Sequence, residues 1–214
     1  MATAVYFEVG KKKVFACAVD WPGWCRAGKT EDEALEALDL YVPRYAVVTK
    51  KAGVTFPKSV SANFDVVERV KGNATTDFGA PGVVPKLATA KLTKAQAERQ
   101  ASLVDASWKV FADVVKKAPA SLRKGPRGGG RDRDKIVDHV ANAEYAYARK
   151  FGVRHKSSSD SKAVAAMRKD LLAALEAARG DGMPEDGSWP ARFTAHRVAW
   201  HVLDHVWEIE DKSE

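Results

Sequence analysis

A chain of 214 residues, 45% hydrophobic and 29% charged, holds enough apolar material for one sizeable core or two small ones and reads as a soluble globular protein. No apolar run approaches the ~20 residues of a membrane helix and no signal-peptide pattern opens the sequence, so a cytoplasmic protein without membrane partners is expected. The net charge of +7 is concentrated in residues 116–135, where eight Lys or Arg face two Asp with no interleaved aromatics for base stacking, which argues against a nucleic-acid partner.

Val5, Phe7 and Val9 alternate, Gly10 and Lys11 supply a turn, and Val14 to Val19 resumes an apolar run, predicting a hairpin. The stretch from Asp20 to Thr30, DWPGWCRAGKT, breaks the pattern. Its cysteines, Cys17 and Cys25, have a spacing that suits neither a zinc knuckle nor a disulfide framework and read as reduced packing thiols. Thr30 and Glu33 predict a capping box, opening one helix that buries Ala34, Leu35, Leu38, Tyr41, Val42 and Tyr45. A polar stretch around Pro57 leads to a short strand at Phe64 to Val70. The order β-β-α-β describes a small α+β domain, residues 1–73. Its run DWPGWCRAGKTEDEALEAL resembles the HicB-like antitoxin domains over residues 4 to about 70. That resemblance implies a partly ribonuclease-H-like unit used for protein contact or self-association, with no catalytic residues in this part.

Two prolines and two glycines in residues 74–86 predict a linker, extending to 91. Beyond it the apolar period lengthens to nearly four. Thr93 with Gln96 predicts a second capping box, and Val104, Trp108, Phe111 and Val115 mark a helix ending near Lys117. The basic segment, with Pro119, Pro126 and Gly128 to Gly130, reads as a solvated connecting loop or as a contact for an anion or thiol cofactor. A second helix is expected from about Asp134 to Phe151. After a gap at Ser157 to Ser161, a third carries Val164, Met167, Leu171 and Leu175 and stops at Gly180. Pro190 fits the first turn of a fourth. Residues 92–214 thus form an all-α four-helix bundle.

His201 and His205 stand one turn apart on that last helix, a spacing that lets two imidazoles share one divalent cation. Val202 occupies the place of the metalloprotease glutamate, so a protease motif is incomplete. An open catalytic site needs a third ligand. His155 lies in a Ser-rich loop and His196 is turned off the shared face. His139 lies on the inward side of the second bundle helix, where spacing alone leaves it between core residue and ligand.

The stretch DHVANAEYAYARKFG, with RFTAHRVAWHVLDHVWEIED on the last helix, resembles the DinB/YfiT-like superfamily of metal-binding four-helix proteins over residues 92 to 212. The resemblance implies a bundle with a crossover between its second and third helices and a metal triad at His139, His201 and His205. It also implies thiol-dependent S-transferase or isomerase activity, or metal-dependent hydrolysis, on a small-molecule substrate with a low-molecular-weight thiol in some members.

Imidazole ligands suit Zn, Ni or Fe, and three of them leave the full charge on the ion to activate a water or a thiol. Asp138, Asp204 and Glu208 are near enough in sequence to orient ligand rings, Tyr145 and Tyr147 to act as proton donors, and Arg197 to anchor a substrate carboxylate or phosphate. Each has a plainer alternative: solvated carboxylates, core tyrosines, and an Arg197 bridge to Asp204 or Glu208. Trp200 and Trp207 read as bundle core. The rival to an enzyme is a non-catalytic binding or regulatory module whose first domain contacts a partner and whose metal is structural.

Overall fold

The computed structural model describes residues 2–56, 63–125, 128–180, 182–184 and 186–213, so the polar stretch at Pro57, together with Pro126 and Arg127 of the basic loop, lies outside the described residues. Strands β1 (Thr3–Val9) and β2 (Val14–Ala18) form the expected antiparallel hairpin. A third strand, β3 (Cys25–Gly28), pairs antiparallel with β2 inside the stretch expected to be irregular. β4 (Phe64–Lys71) returns parallel to β1 and completes a four-stranded sheet of order β3-β2-β1-β4. The register slips between Val5 and Tyr6, where a bulge re-aims the outer half of β4. Thus Phe64 and Val66 join the core with Trp24 while Val70 packs on the opposite face with Tyr6 and Trp200.

The single helix expected through Tyr45 is two helices, α1 (Glu31–Leu40) and α2 (Val42–Ala52). Thr30 caps α1 by accepting from the Glu33 N–H, and Pro43, which has no N–H, is tolerated only in the first turn of a new helix. The Trp-Pro-Gly-Trp turn between β2 and β3 is the core of this unit. Trp24 is fully buried, stacks on Tyr45 with ring centroids 5.6 Å apart and donates from Nε1 to the Leu38 carbonyl, while the Tyr45 hydroxyl donates to the Pro22 carbonyl. The stretch expected as a linker carries a short helix, α3 (Ala74–Phe78), and a 3-10 turn at Lys86–Thr89. Buried Glu8 holds it to the sheet by accepting from Thr76 Oγ1 and from the N–H groups of Gly82 and Val83.

Four long helices follow: α4 (Lys94–Lys117), α5 (Arg133–Lys150), α6 (Ser161–Ala177) and α7 (Ala191–Lys212). The predicted capping box at Thr93 and Gln96 is present. α6 ends at Ala177, three residues before the expected stop at Gly180, with Ala178 already extended and Arg179 donating to the carbonyls of Glu176 and Ala178. The Arg123 N–H donates to the Lys212 carbonyl, placing the ends of α4 and α7 together, and the Trp189 N–H donates to the Lys150 carbonyl, placing the end of α5 beside the start of α7. The segment after α6 returns to that same end, where Gly182 donates to Thr89. α5 and α6 therefore run alike and antiparallel to α4 and α7, and residues 151–160 cross the length of the bundle between them. His155, in that crossover, pairs with Asp170 on α6 at 2.8 Å.

Helix α5 is pinned by a buried carboxylate. Glu144, with no solvent exposure, accepts from Trp108 Nε1 of α4 at 2.6 Å and from Arg168 Nε and Nη2 of α6 at 2.9 and 3.2 Å. Removing one partner of such a pair leaves an uncompensated charge inside the protein. Arg168→Met is therefore expected to cost about 3 kcal/mol in urea unfolding, and Arg168→Met with Glu144→Leu distinctly less. Equal losses in the two variants would contradict this role.

One apolar cluster runs from Val5 and Phe7 through Leu38 and Tyr45 to Val104, Leu171 and Leu203. Its link is α7, whose outer face lies against the sheet unit: Trp200 meets Phe15 edge-on at 6.0 Å, Trp207 meets Tyr41 at 4.7 Å, and Arg26 reaches Asp204 at 3.0 Å. Burial of side chains such as Leu203 and Val202, each worth about 1.5–3 kcal/mol, outweighs the part-exposed Arg26–Asp204 pair at about 1 kcal/mol or less. Gly23 permits the approach. Its φ of +88° suits glycine, and a Cβ there would lie 2.8 Å from Leu203 Cδ1 and 2.9 Å from the Ala199 carbonyl carbon. Gly23→Ala combines a left-handed residue with overpacking against a helix backbone, so a loss of about 2–4 kcal/mol is expected from denaturant unfolding. A change under about 0.5 kcal/mol would show that the junction yields freely.

Candidate metal centre

α5 and α7 run antiparallel, so His139 near the start of α5 meets His201 and His205 on α7. The three rings lie with centroids 4.8–5.0 Å apart, and one nitrogen from each falls within 4.8 Å of the others. His139 Nε2 and His201 Nε2 are 3.2 Å apart. Two nitrogens at zinc distance in a tetrahedral shell stand about 3.3 Å apart. The cluster therefore has the donor type and spacing to hold one divalent ion.

Two of the rings, His139 and His201, are also held in the protonation state a ligand needs. Burial first, then the neighbouring His205 and His139, pushes His201 down to about 2, and burial followed by His205 lowers His139 as well. Both are neutral near pH 7 and can offer a lone pair. His205 Nδ1 donates to Glu208 Oε2 at 2.7 Å, which leaves its Nε2 for the centre, and Glu208 is held by Lys212 Nζ at 2.5 Å. These contacts keep the Glu208 carboxyl down at about 2, with the His205 bond the larger cause. A carboxylate behind a ligating imidazole fixes the tautomer and raises the basicity of the ring. His201 Nδ1 is buried without a partner.

The other sequence candidates divide clearly. Glu208 stands behind the trio, whereas Asp204 is taken by Arg26, and Asp138 faces a groove of about 920 Å³ between α4, α5 and α6. Tyr147 borders the site, its ring 5.6 Å from that of His201, and burial raises its phenol so that it stays a proton donor. Tyr145 is buried with an unpartnered hydroxyl. Arg197 does not bridge to Asp204 or Glu208. Its guanidinium lies over the rings of Tyr147 and Trp200, 5.1 and 4.8 Å from their centroids. Trp200 and Trp207, expected in the bundle core, instead join α7 to the sheet unit. Trp189, 5.6 Å from Tyr147 and 5.0 Å from Phe193, was not anticipated, since it precedes the helix.

Cys17 and Cys25 are free buried thiols paired across β2 and β3, a proximity that their spacing around a turn hides. The basic segment ties helix ends together: Lys124 pairs with Asp132, Arg123 donates to the Asp211 carbonyl and Arg133 to that of Ala118. Among the described residues no helix is long and apolar enough to cross a membrane. Compared with family models, with curated proteins and with solved structures, the chain has no match in any of the three.

His196 lies outside the cluster, with Nε2 donating to the Val19 carbonyl at 2.9 Å. Burial lowers it from 6.5 to about 4, against a small upward pull from that bond and Asp20, with Arg192 adding to the lowering. Because the unfolded chain then binds the proton more readily, its contribution is intact above pH 6.5 and is lost as pH falls toward 4. That difference corresponds to about 3 kcal/mol. In His196→Gln, whose amide can still donate to Val19, stability should fall less steeply between pH 6.5 and 4 than in the wild type. Identical slopes would assign the acid sensitivity elsewhere.

Proposed function

We propose that the protein is a metal-dependent enzyme, a hydrolase or a thiol-dependent S-transferase or isomerase, with His139, His201 and His205 as ligands of one divalent ion. The observation that carries this reading is the convergence of three imidazoles from two helices on one point. We take residues 1–73 as a HicB-like unit, 74–91 as a linker and 92–214 as a DinB/YfiT-like bundle. The histidine pattern and the crossover between α5 and α6 support the bundle assignment. Zinc, nickel and iron all suit such donors. When bound, the ion supplies Lewis acidity that brings a water or thiol in its open position toward ionisation near neutral pH.

The remaining roles belong to the chain. Glu208 holds the His205 tautomer, Tyr147 keeps a proton available beside His201, and the aromatic layer of Trp189, Tyr147 and Trp200 shields one side from water. A small-molecule substrate, with or without a low-molecular-weight thiol, would enter along the α5–α7 seam, where His139 is part-exposed.

A second reading is favoured by the burial of His201 and His205, each 7% exposed. There the ion serves only to staple α5 to α7, and the sheet unit contacts a protein partner. Tag-free protein loaded with zinc is expected to hold about one ion per chain by elemental analysis, and His201→Ala and His205→Ala roughly a tenth of that or less. Glu208→Gln should weaken zinc affinity about 10- to 100-fold. Equal metal content in wild type and histidine variants would sink both readings. Chelation that lowers the melting temperature while no substrate panel turns over would favour the staple.

A further inference from the structure

The surroundings of the trio are short of negative charge. Three neutral imidazoles leave the charge of a bound dication uncompensated. The nearby carboxylates of the described residues are already committed: Glu208 to His205 and Lys212, Asp204 to Arg26. Asp138 faces the groove on the other side of α5. Two guanidinium groups, that of Arg197 beside the cluster and that of Arg131 on the loop before α5, have no carboxylate within ion-pair distance among the described residues. Arg197 lies over the Tyr147 ring, which borders His201, and it has a buried Nη1 with no partner. Arg131 is exposed and follows Gly130, where a Cβ would stand 3.3 Å from Lys212 Nζ. Lys212 in turn holds Glu208 behind His205, so the loop that carries Arg131 lies at that end of the site.

We infer that the substrate of this site carries an anionic oxygen group, a carboxylate or a phosphate, for which Arg131 and Arg197 supply the countercharge. The inference rests on the metal-centre reading above and adds the class of molecule admitted. Its physical basis is complementarity: a cluster of unpaired cations around a dication is relieved by an anion, and a guanidinium meets either oxygen group with its fork of N–H donors. Arg131 acts as the outer, solvent-reaching cation, and Arg197 as the inner one, its plane fixed by Tyr147 and Trp200.

The test uses the full chain loaded with cobalt(II), whose visible spectrum reports on its ligands without any need for turnover. Acetate and inorganic phosphate are titrated at constant ionic strength, with acetamide as the neutral control. In the wild type at least one anion is expected to saturate the spectral change, acetamide to leave it unaltered, and the tighter anion identifies carboxylate or phosphate as the preferred group. Arg131→Gln, on an exposed loop where folding is not at stake, should weaken binding by about tenfold. Arg197→Gln should do the same or more, and Arg197→Lys, which keeps the charge over the two rings, should recover part of it. If the Arg131→Gln and Arg197→Gln proteins hold cobalt and titrate as the wild type does, if neither anion alters the wild-type spectrum, or if acetamide competes equally, the inference is overturned while the metal centre stands. A wild type that holds no cobalt overturns the metal centre and the inference with it.

Discussion

The structure depends on one constraint, the burial of helix α7 on two sides. Its outer face is held by the sheet unit through Trp200, Trp207 and the close approach of Gly23, and its inner face packs against α4 and α5. A helix with so little solvent contact is polar only where the polar group has a partner or a purpose. His196 has a partner in the Val19 carbonyl and Thr194 in the carbonyl of Pro190. His201 has none at Nδ1, and its Nε2 points at another imidazole. That Nε2 has the lone pair and the neighbouring imidazoles with which a divalent ion could be held.

The sheet unit and the bundle share this helix, and that couples them mechanically. Arg26 on β3 and Asp204 on α7 meet between Tyr41 and Trp207, one residue away from His205 in sequence. The position of the His201–His205 pair is therefore set in part by residues far away in the chain. On the opposite side, Glu144 with Trp108 and Arg168 fixes α5, so His139 is aimed by α4 and α6. Both halves of the site are held by packing and by buried hydrogen bonds rather than by loops, which suits a centre that must keep its nitrogens at fixed separations.

Local chemistry was legible where one stretch of sequence specified it. The Thr30 cap, the Thr93 box and the hairpin all lie within a few residues, and the pairing of His201 with His205 follows from helical spacing alone. The break at Pro43 was also written in the sequence, since proline marks a first helical turn, but the apolar stripe through Tyr45 masked it. β3 was hidden because Cys25 to Gly28 is short and follows a turn, and its pairing is decided by β2 rather than by its own pattern.

By itself the sequence determined the periodicities, the caps, the location of the basic segment and one face bearing two histidines. The tertiary structure decided what those features meet: that His139 turns toward α7, that Glu208 and not Asp204 backs His205, that Arg197 lies on aromatic rings, and that the tryptophans of α7 join two units. The reason is physical. A helix pattern fixes which residues share a face but leaves open which neighbour covers that face, and the neighbour is selected by packing among segments distant in the chain.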